Sequence, residues 1–147
     1  MIDLKPIKLI HLFFCAGLTL FALVGLLVNR DKLYLELSAG DSANKLLGII
    51  AILMALISVN ASKIIFNKMI AKINPEDKVG EKFKAYQTAF LVLAAILEAG
   101  ALFNIVVFLK TANLYFLIFG ALCLAALVLN APTKEKVYGL LQIQDKF

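Results

Sequence analysis

Residues 9–29 read LIHLFFCAGLTLFALVGLLVN, a run without Asp, Glu, Lys or Arg. A helix needs about 20 such residues to cross roughly 30 Å of hydrocarbon. Three further stretches repeat the signal. Residues 46–62 and 111–133 carry no charge, and residues 85–109 carry one, Glu98. The second stretch is the shortest. Lys63 can snorkel from its end while Ile64, Ile65 and Phe66 continue the apolar span. A transmembrane β-barrel would instead need segments of about 10 residues with alternating polarity, and none is present.

Composition agrees with this reading. Of the 147 residues 62% are hydrophobic and 17% charged, against about 45–50% and about 25% in soluble domains. A chain this small has too much surface per volume to hide that surplus inside itself. The expected fold is all-α: one polytopic domain over residues 1–147, with four transmembrane helices at about 7–29, 46–66, 85–109 and 112–131. Lys5 and Lys8 before the first span suggest a secretory leader, but Leu26-Leu27-Val28-Asn29-Arg30 has no small-x-small cleavage pattern. A retained signal-anchor helix is expected.

The basic residues orient the four spans. Lys5, Lys8, Lys63, Lys68, Lys72, Lys78, Lys82, Lys84, Lys134, Lys136 and Lys146 fall on one side; Arg30, Lys32, Lys45 and Lys110 fall on the other. The positive-inside rule puts the larger set, and with it both termini, in the cytoplasm. The net charge of +5 then reads as topology and as contact of Lys63, Lys68, Lys72, Lys134 and Lys136 with anionic headgroups. It does not read as a nucleic-acid surface, because no basic patch is interleaved with aromatics and no reading motif occurs.

Between the spans, Gly40-Asp41-Ser42 supplies turn chemistry, and Ser42 or Asn44 is a candidate cap for the second helix. The second span is expected to run on through Ile64, Ile65 and Met69. Asn74-Pro75-Glu76-Asp77 reads as an N-cap, a proline at the first helical position and two acids in the first turn. A cytoplasmic helical hairpin between spans two and three follows. Lys110-Thr111-Ala112-Asn113 is so short that spans three and four must be antiparallel neighbours. Pro132 stops span four, and Thr133 can cap a last helix over about 133–143. The apolar stripe Val137, Leu140, Leu141 of that helix suits the membrane interface or a docked partner.

Helices in lipid pack through small and weakly polar residues. Such stripes recur at the helical period: His11, Cys15, Ala22, Gly25 and Asn29; Ala51, Ala55, Ser58 and Ser62; Gln87, Ala94, Glu98 and Ala101; Asn113, Gly120, Cys123 and Asn130. Phe13, Phe14, Phe21, Phe108, Phe116 and Phe119 are expected to face lipid or fill gaps. Glu98 is the expensive member. An acid at mid-span costs at least about 2.5 kcal/mol and by default marks a function. Lys110, the next basic residue along its own helix, lies roughly 18 Å away along the axis. Cys15, Thr19, Ser58 and Cys123 fall at comparable depth and are its candidate polar partners. An acid so placed can carry a proton or cation, clasp helices together, or meet a basic residue of another subunit.

The segment Ile96-Leu97-Glu98-Ala99-Gly100-Ala101-Leu102-Phe103-Asn104-Ile105-Val106-Val107 resembles the ion-carrying helix of rotary ATP synthase c-type proteolipids, in which small residues, an aromatic and a Val-rich run follow a carboxylate. The resemblance implies Glu98 as ion carrier. The glycine-rich partner helix of that family has no counterpart here. As a whole the chain resembles the small uncharacterised four-span proteins of bacterial inner membranes, which implies that location.

Other chemistries lack their residues. His11 is the single histidine, so a His-based metal cluster cannot form. Cys15 and Cys123 lie within spans and have no Cys-x-x-Cys spacing. Asn60-Ala61-Ser62 fits a glycosylation pattern but falls at the cytoplasmic boundary. Neither a phosphate loop nor a nucleophile elbow occurs. No enzyme activity, cofactor, metal or nucleic-acid partner is expected. The reading that remains is a small subunit or accessory factor that associates with other membrane proteins or with itself, with an ion-translocating proteolipid as the alternative.

Overall fold

The structure is a computed structural model. It describes residues 2–36 and 42–143, with side chains from residue 45 onward in the second segment. The turn at Gly40-Asp41-Ser42 and the cap of the second helix lie outside the described residues or side chains. Among the described residues five helices follow one another: α1 (Lys5–Asn29), α2 (Ser42–Ala71), α3 (Val79–Thr111), α4 (Leu114–Leu129) and α5 (Lys134–Leu140). Of these, α1, α2 and α3 are long and apolar enough to cross a bilayer. A fourth candidate exists if α4 and α5, bent by 75° across a short break, count as one span.

Each boundary has a local cause. Asp3 Oδ1 accepts from the Lys5 N–H at 2.9 Å, and Pro6 occupies the first turn of α1, where a missing N–H is harmless. At the other end of α3, Ala112 takes a left-handed conformation (φ 58°) and returns its N–H to the Phe108 carbonyl at 2.7 Å. Asn113 then caps α4 by accepting from the Tyr115 N–H at 3.1 Å. Thr133 caps α5 as expected, its Oγ1 accepting from the Lys136 N–H at 3.3 Å.

One expected boundary is corrected. Asn74 does not cap a helix that begins at Pro75. Its Oδ1 accepts from the Glu76 N–H and its carbonyl from the Asp77 N–H, which closes a turn, and α3 starts at Val79. The Asn-Pro pair shapes a loop of its own before any helix forms. Against the fourth span expected at about 112–131, α4 covers Leu114–Leu129. Asn113 and Asn130 end α4 on either side, leaving 16 residues, or roughly 24 Å at helical rise.

The long helix α3 is the hub, packing on α1, α2 and α4, while α4 also touches α2 and α1. Half of the apolar window of α3 is buried (50%), against 28% in α2 and 11% in α1. Members of all four expected small-residue stripes turn inward, Glu98 excepted. Ala51, Ala55, Ser58 and Ser62 are buried on α2, and Ala94 and Ala101 on α3. Gly120 and Cys123 are buried on α4. On α1, Gly25 meets the Phe108 ring, and Asn29 Nδ2 donates to the Leu109 carbonyl at 3.2 Å. His11 Nε2 lies 2.9 Å from the Leu127 carbonyl, which can only accept, so that nitrogen carries the proton. Phe13 is exposed, whereas Phe108 and Phe116 are buried in a second cluster with Ala51 and Val107.

The loop after α1 is tied across the α3–α4 turn. Leu114 N–H donates to the Tyr34 carbonyl at 2.9 Å, and Asn113 Nδ2 donates to the Glu36 carbonyl at 2.7 Å. At the opposite end Val137 and Leu141 of α5 join Leu4, Ile7, Tyr86 and Phe90 in the main buried cluster. The expected stripe of α5 therefore splits: Val137 and Leu141 pack on the chain itself, and Leu140 is left exposed.

Candidate functional site

Glu98 lies in the middle third of α3, between the fully buried Leu97 and the buried Gly100. It is half-buried and lines a shallow groove with Ile10, Phe13 and Phe14 of α1, about 260 Å³ in volume. Among the described residues its carboxylate makes no hydrogen bond and no ion pair; the one ion pair there joins Arg30 and Asp31. The groove walls are hydrocarbon and aromatic, and Phe13 is 67% exposed beside the acid.

None of the four expected polar partners hydrogen-bonds Glu98. Cys15 Sγ sits 3.6 Å from His11 Nε2, and Thr19 Oγ1 donates to the Cys15 carbonyl at 2.8 Å. Cys123 Sγ points to the Ala55 carbonyl, 3.8 Å away. Ser58 is buried against Gly100, where an added Cβ would come within 2.5 Å of its Oγ and 3.1 Å of Cys123 Sγ. Helical phase explains the separation. Gly100 lies two residues beyond Glu98, about 200° round the helix at roughly 100° per residue. The face of α3 that meets Ser58 and Cys123 is therefore opposite the face that carries the acid.

A polar residue that sequence reasoning did not single out occupies the packed face. Asn104 is fully buried, and its Nδ2 donates to the Ala51 carbonyl on α2 and to the Gly100 carbonyl on its own helix, both at 2.9 Å. Its Oδ1 is the one buried side-chain polar atom without a hydrogen-bond partner among the described residues. A signal was available: Asn104 follows Gly100 by four residues, one turn along the same face. Asn104→Leu keeps similar bulk and removes the bridge. The expected loss is about 1 kcal/mol, in line with interhelical hydrogen bonds in membranes. Unfolding of the purified chain in a detergent titration measures it; a loss above about 3 kcal/mol would mean that Asn104 does more than bridge α2 and α3.

Among the described residues no group of three or more His, Cys, Asp or Glu side chains comes together as a metal site. Both cysteines are free thiols. Comparison with protein families, curated proteins and solved structures finds no match to this chain. The site is an acid in the middle third of α3, open to the outside through an apolar groove between α1 and α3.

Proposed function

We propose that the chain is a non-enzymatic small subunit or accessory factor of a larger membrane complex, docked through the α1–α3 groove. The carrying observation is Glu98, which opens into that groove without a hydrogen bond or ion pair among the described residues. Lipid leaves such a group unsatisfied at a cost of at least about 2.5 kcal/mol. A transmembrane helix bringing a lysine, arginine, amide or hydroxyl to that depth would satisfy it, and the exposed Ile10 and Phe13 of α1 supply apolar contact beside it in the same groove. In this reading four crossings form a bundle in a bacterial inner membrane. Both termini and the α2–α3 hairpin face the cytoplasm, because eleven basic residues lie on that side against four on the other.

The test is purification of the full chain from native membranes in a mild detergent, followed by native mass measurement. The expected result is a complex with another membrane protein, from which Glu98→Leu lowers partner recovery at least about tenfold, as loss of an interaction above 1.4 kcal/mol requires. A monodisperse, partner-free monomer would overturn the reading.

The outward opening of Glu98 also favours a second reading, a proton- or cation-translocating proteolipid, since a carrier acid must be reachable from the bilayer. That reading requires modification of Glu98 by a hydrophobic carbodiimide, slowed by raised pH or a competing cation. It also requires loss of proton flux in Glu98→Gln vesicles. Unchanged flux leaves the docking reading alone.

A further inference from the structure

The cleft between α2 and α4 is lined by Val59, Ser62 and Lys63 on one side and by Leu122, Ala125, Ala126, Leu129 and Asn130 on the other, with a volume of about 420 Å³. Five of these eight residues are Val, Leu or Ala, and no acid is among them. The polar members gather at one end. Ser62 Oγ donates to the Val59 carbonyl at 3.1 Å, and Asn130 Nδ2 to the Ala126 carbonyl at 2.7 Å. Lys63 is exposed and has no hydrogen bond or ion pair among the described residues. A second ammonium stands at the same end, where Lys136 Nζ donates to the Leu129 carbonyl at 2.8 Å. One cation thus lines the slot itself, and a second is bound to the backbone of its lining residue Leu129.

Small side chains open the slot. Ala125 and Ala126 project little from α4, and Ser62 little from α2, so the two helices leave room that neither fills. From Leu122 to Asn130 the lining runs eight positions along α4, roughly 12 Å at helical rise. That depth takes a glycerol ester and the upper part of an acyl chain. Basic pockets between transmembrane helices are where acidic headgroups bind.

We infer that this cleft is a site for an anionic glycerophospholipid, with its phosphate at Lys63 and Lys136 and one acyl chain along Val59, Leu122 and Ala125. A free phosphate would leave the apolar majority of the lining uncovered, and a zwitterionic lipid would add a cation beside two others. The site lies on α2 and α4, away from the Glu98 groove, so it stands whether or not the docking reading holds.

The experiment is native mass spectrometry of the full chain in mild detergent, offered phosphatidylglycerol and phosphatidylcholine with identical acyl chains. The wild type is expected to retain one phosphatidylglycerol with at least about fivefold preference, and Lys63→Gln to lower its retention about fivefold, the worth of one juxtamembrane lysine. Lys63→Arg should keep the preference. Ala125→Leu, a change at an exposed position that fills the slot, should lower retention of both lipids. Lys68→Gln, an equal loss of charge elsewhere on α2, should leave retention unchanged, and sn-glycerol 3-phosphate should not compete. Equal retention of the two lipids overturns the site, as does a Lys68→Gln effect as large as that of Lys63→Gln. Full retention in Ala125→Leu, or displacement by the tail-less phosphate, overturns it as well.

Discussion

Gly100→Leu is expected to force α2, α3 and α4 apart and to cost about 3 kcal/mol or more, at the upper end of overpacking penalties. A Cβ on Gly100 would lie 2.5 Å from Ser58 Oγ, 2.7 Å from Ser58 Cβ and 3.1 Å from Cys123 Sγ. Neither neighbour can swing clear. Ser58 ends one atom beyond its own Cβ, and Cys123 is wholly buried. The backbones themselves have to separate, which also strains the Asn104 bridge to the Ala51 carbonyl one turn away. Thermal unfolding in detergent should show a fall on the order of 10 °C. Gly100→Ala should show a smaller fall, and Ser58→Gly should restore part of it by removing both of the closest atoms. That recovery is a coupling between touching residues, which additive effects would not give. A Gly100→Leu variant as stable as the parent would mean that the three helices do not meet at this point.

The same three helices show how far the sequence could be read. Uncharged runs located α1 to α4 because each of these helices is apolar over most of its length. Periodicity also found which face of each helix turns inward, since Ala51, Ala55, Ser58, Gly120 and Cys123 are all buried. What periodicity lacks is the order of helices around the hub. Glu98 shares its stripe with Ala94 and Ala101 but stands at the stripe's edge, on the α1 side, whereas Ser58 and Cys123 belong to α2 and α4. Comparable depth read from the sequence therefore brought none of the four polar groups into a hydrogen bond with the acid. Asn104 escaped notice because an amide costs less than a carboxylate in an apolar run, although its buried bridge ties α2 to α3. The turn at Asn74 departs from the expected helix cap for a different reason. Its side-chain oxygen can serve a helix N-terminus or an isolated turn, and the following Pro75 fits either.

Val137→Asp is expected to release α5 without unfolding α1 to α4. Val137 is fully buried, and Leu141, one turn on, is 3% exposed. Both lie in the cluster that holds Leu4 and Ile7 at the start of α1 together with Tyr86 and Phe90 of α3. The side chains Tyr86, Phe83 and Phe90 stack there with ring centroids 6.3–6.4 Å apart, and Phe66 of α2 meets Tyr86 edge-on. The main buried cluster therefore extends to this end of the molecule, where α5 closes it. An unpaired carboxylate placed in it costs at least about 2 kcal/mol, enough to shift a docking equilibrium about 30-fold. A seven-residue helix cannot persist alone in water, so undocking should also melt it. Hydrogen exchange should rise steeply across residues 134–143 and at the start of α1, where Leu4 and Ile7 lose their cover, while the middles of α2 and α3 stay protected. Leu140→Asp is the control, because Leu140 is 43% exposed and its change should leave exchange as it was. Equal effects at 137 and 140 would mean that α5 is held by the bilayer surface through its whole apolar stripe, and not by the chain itself.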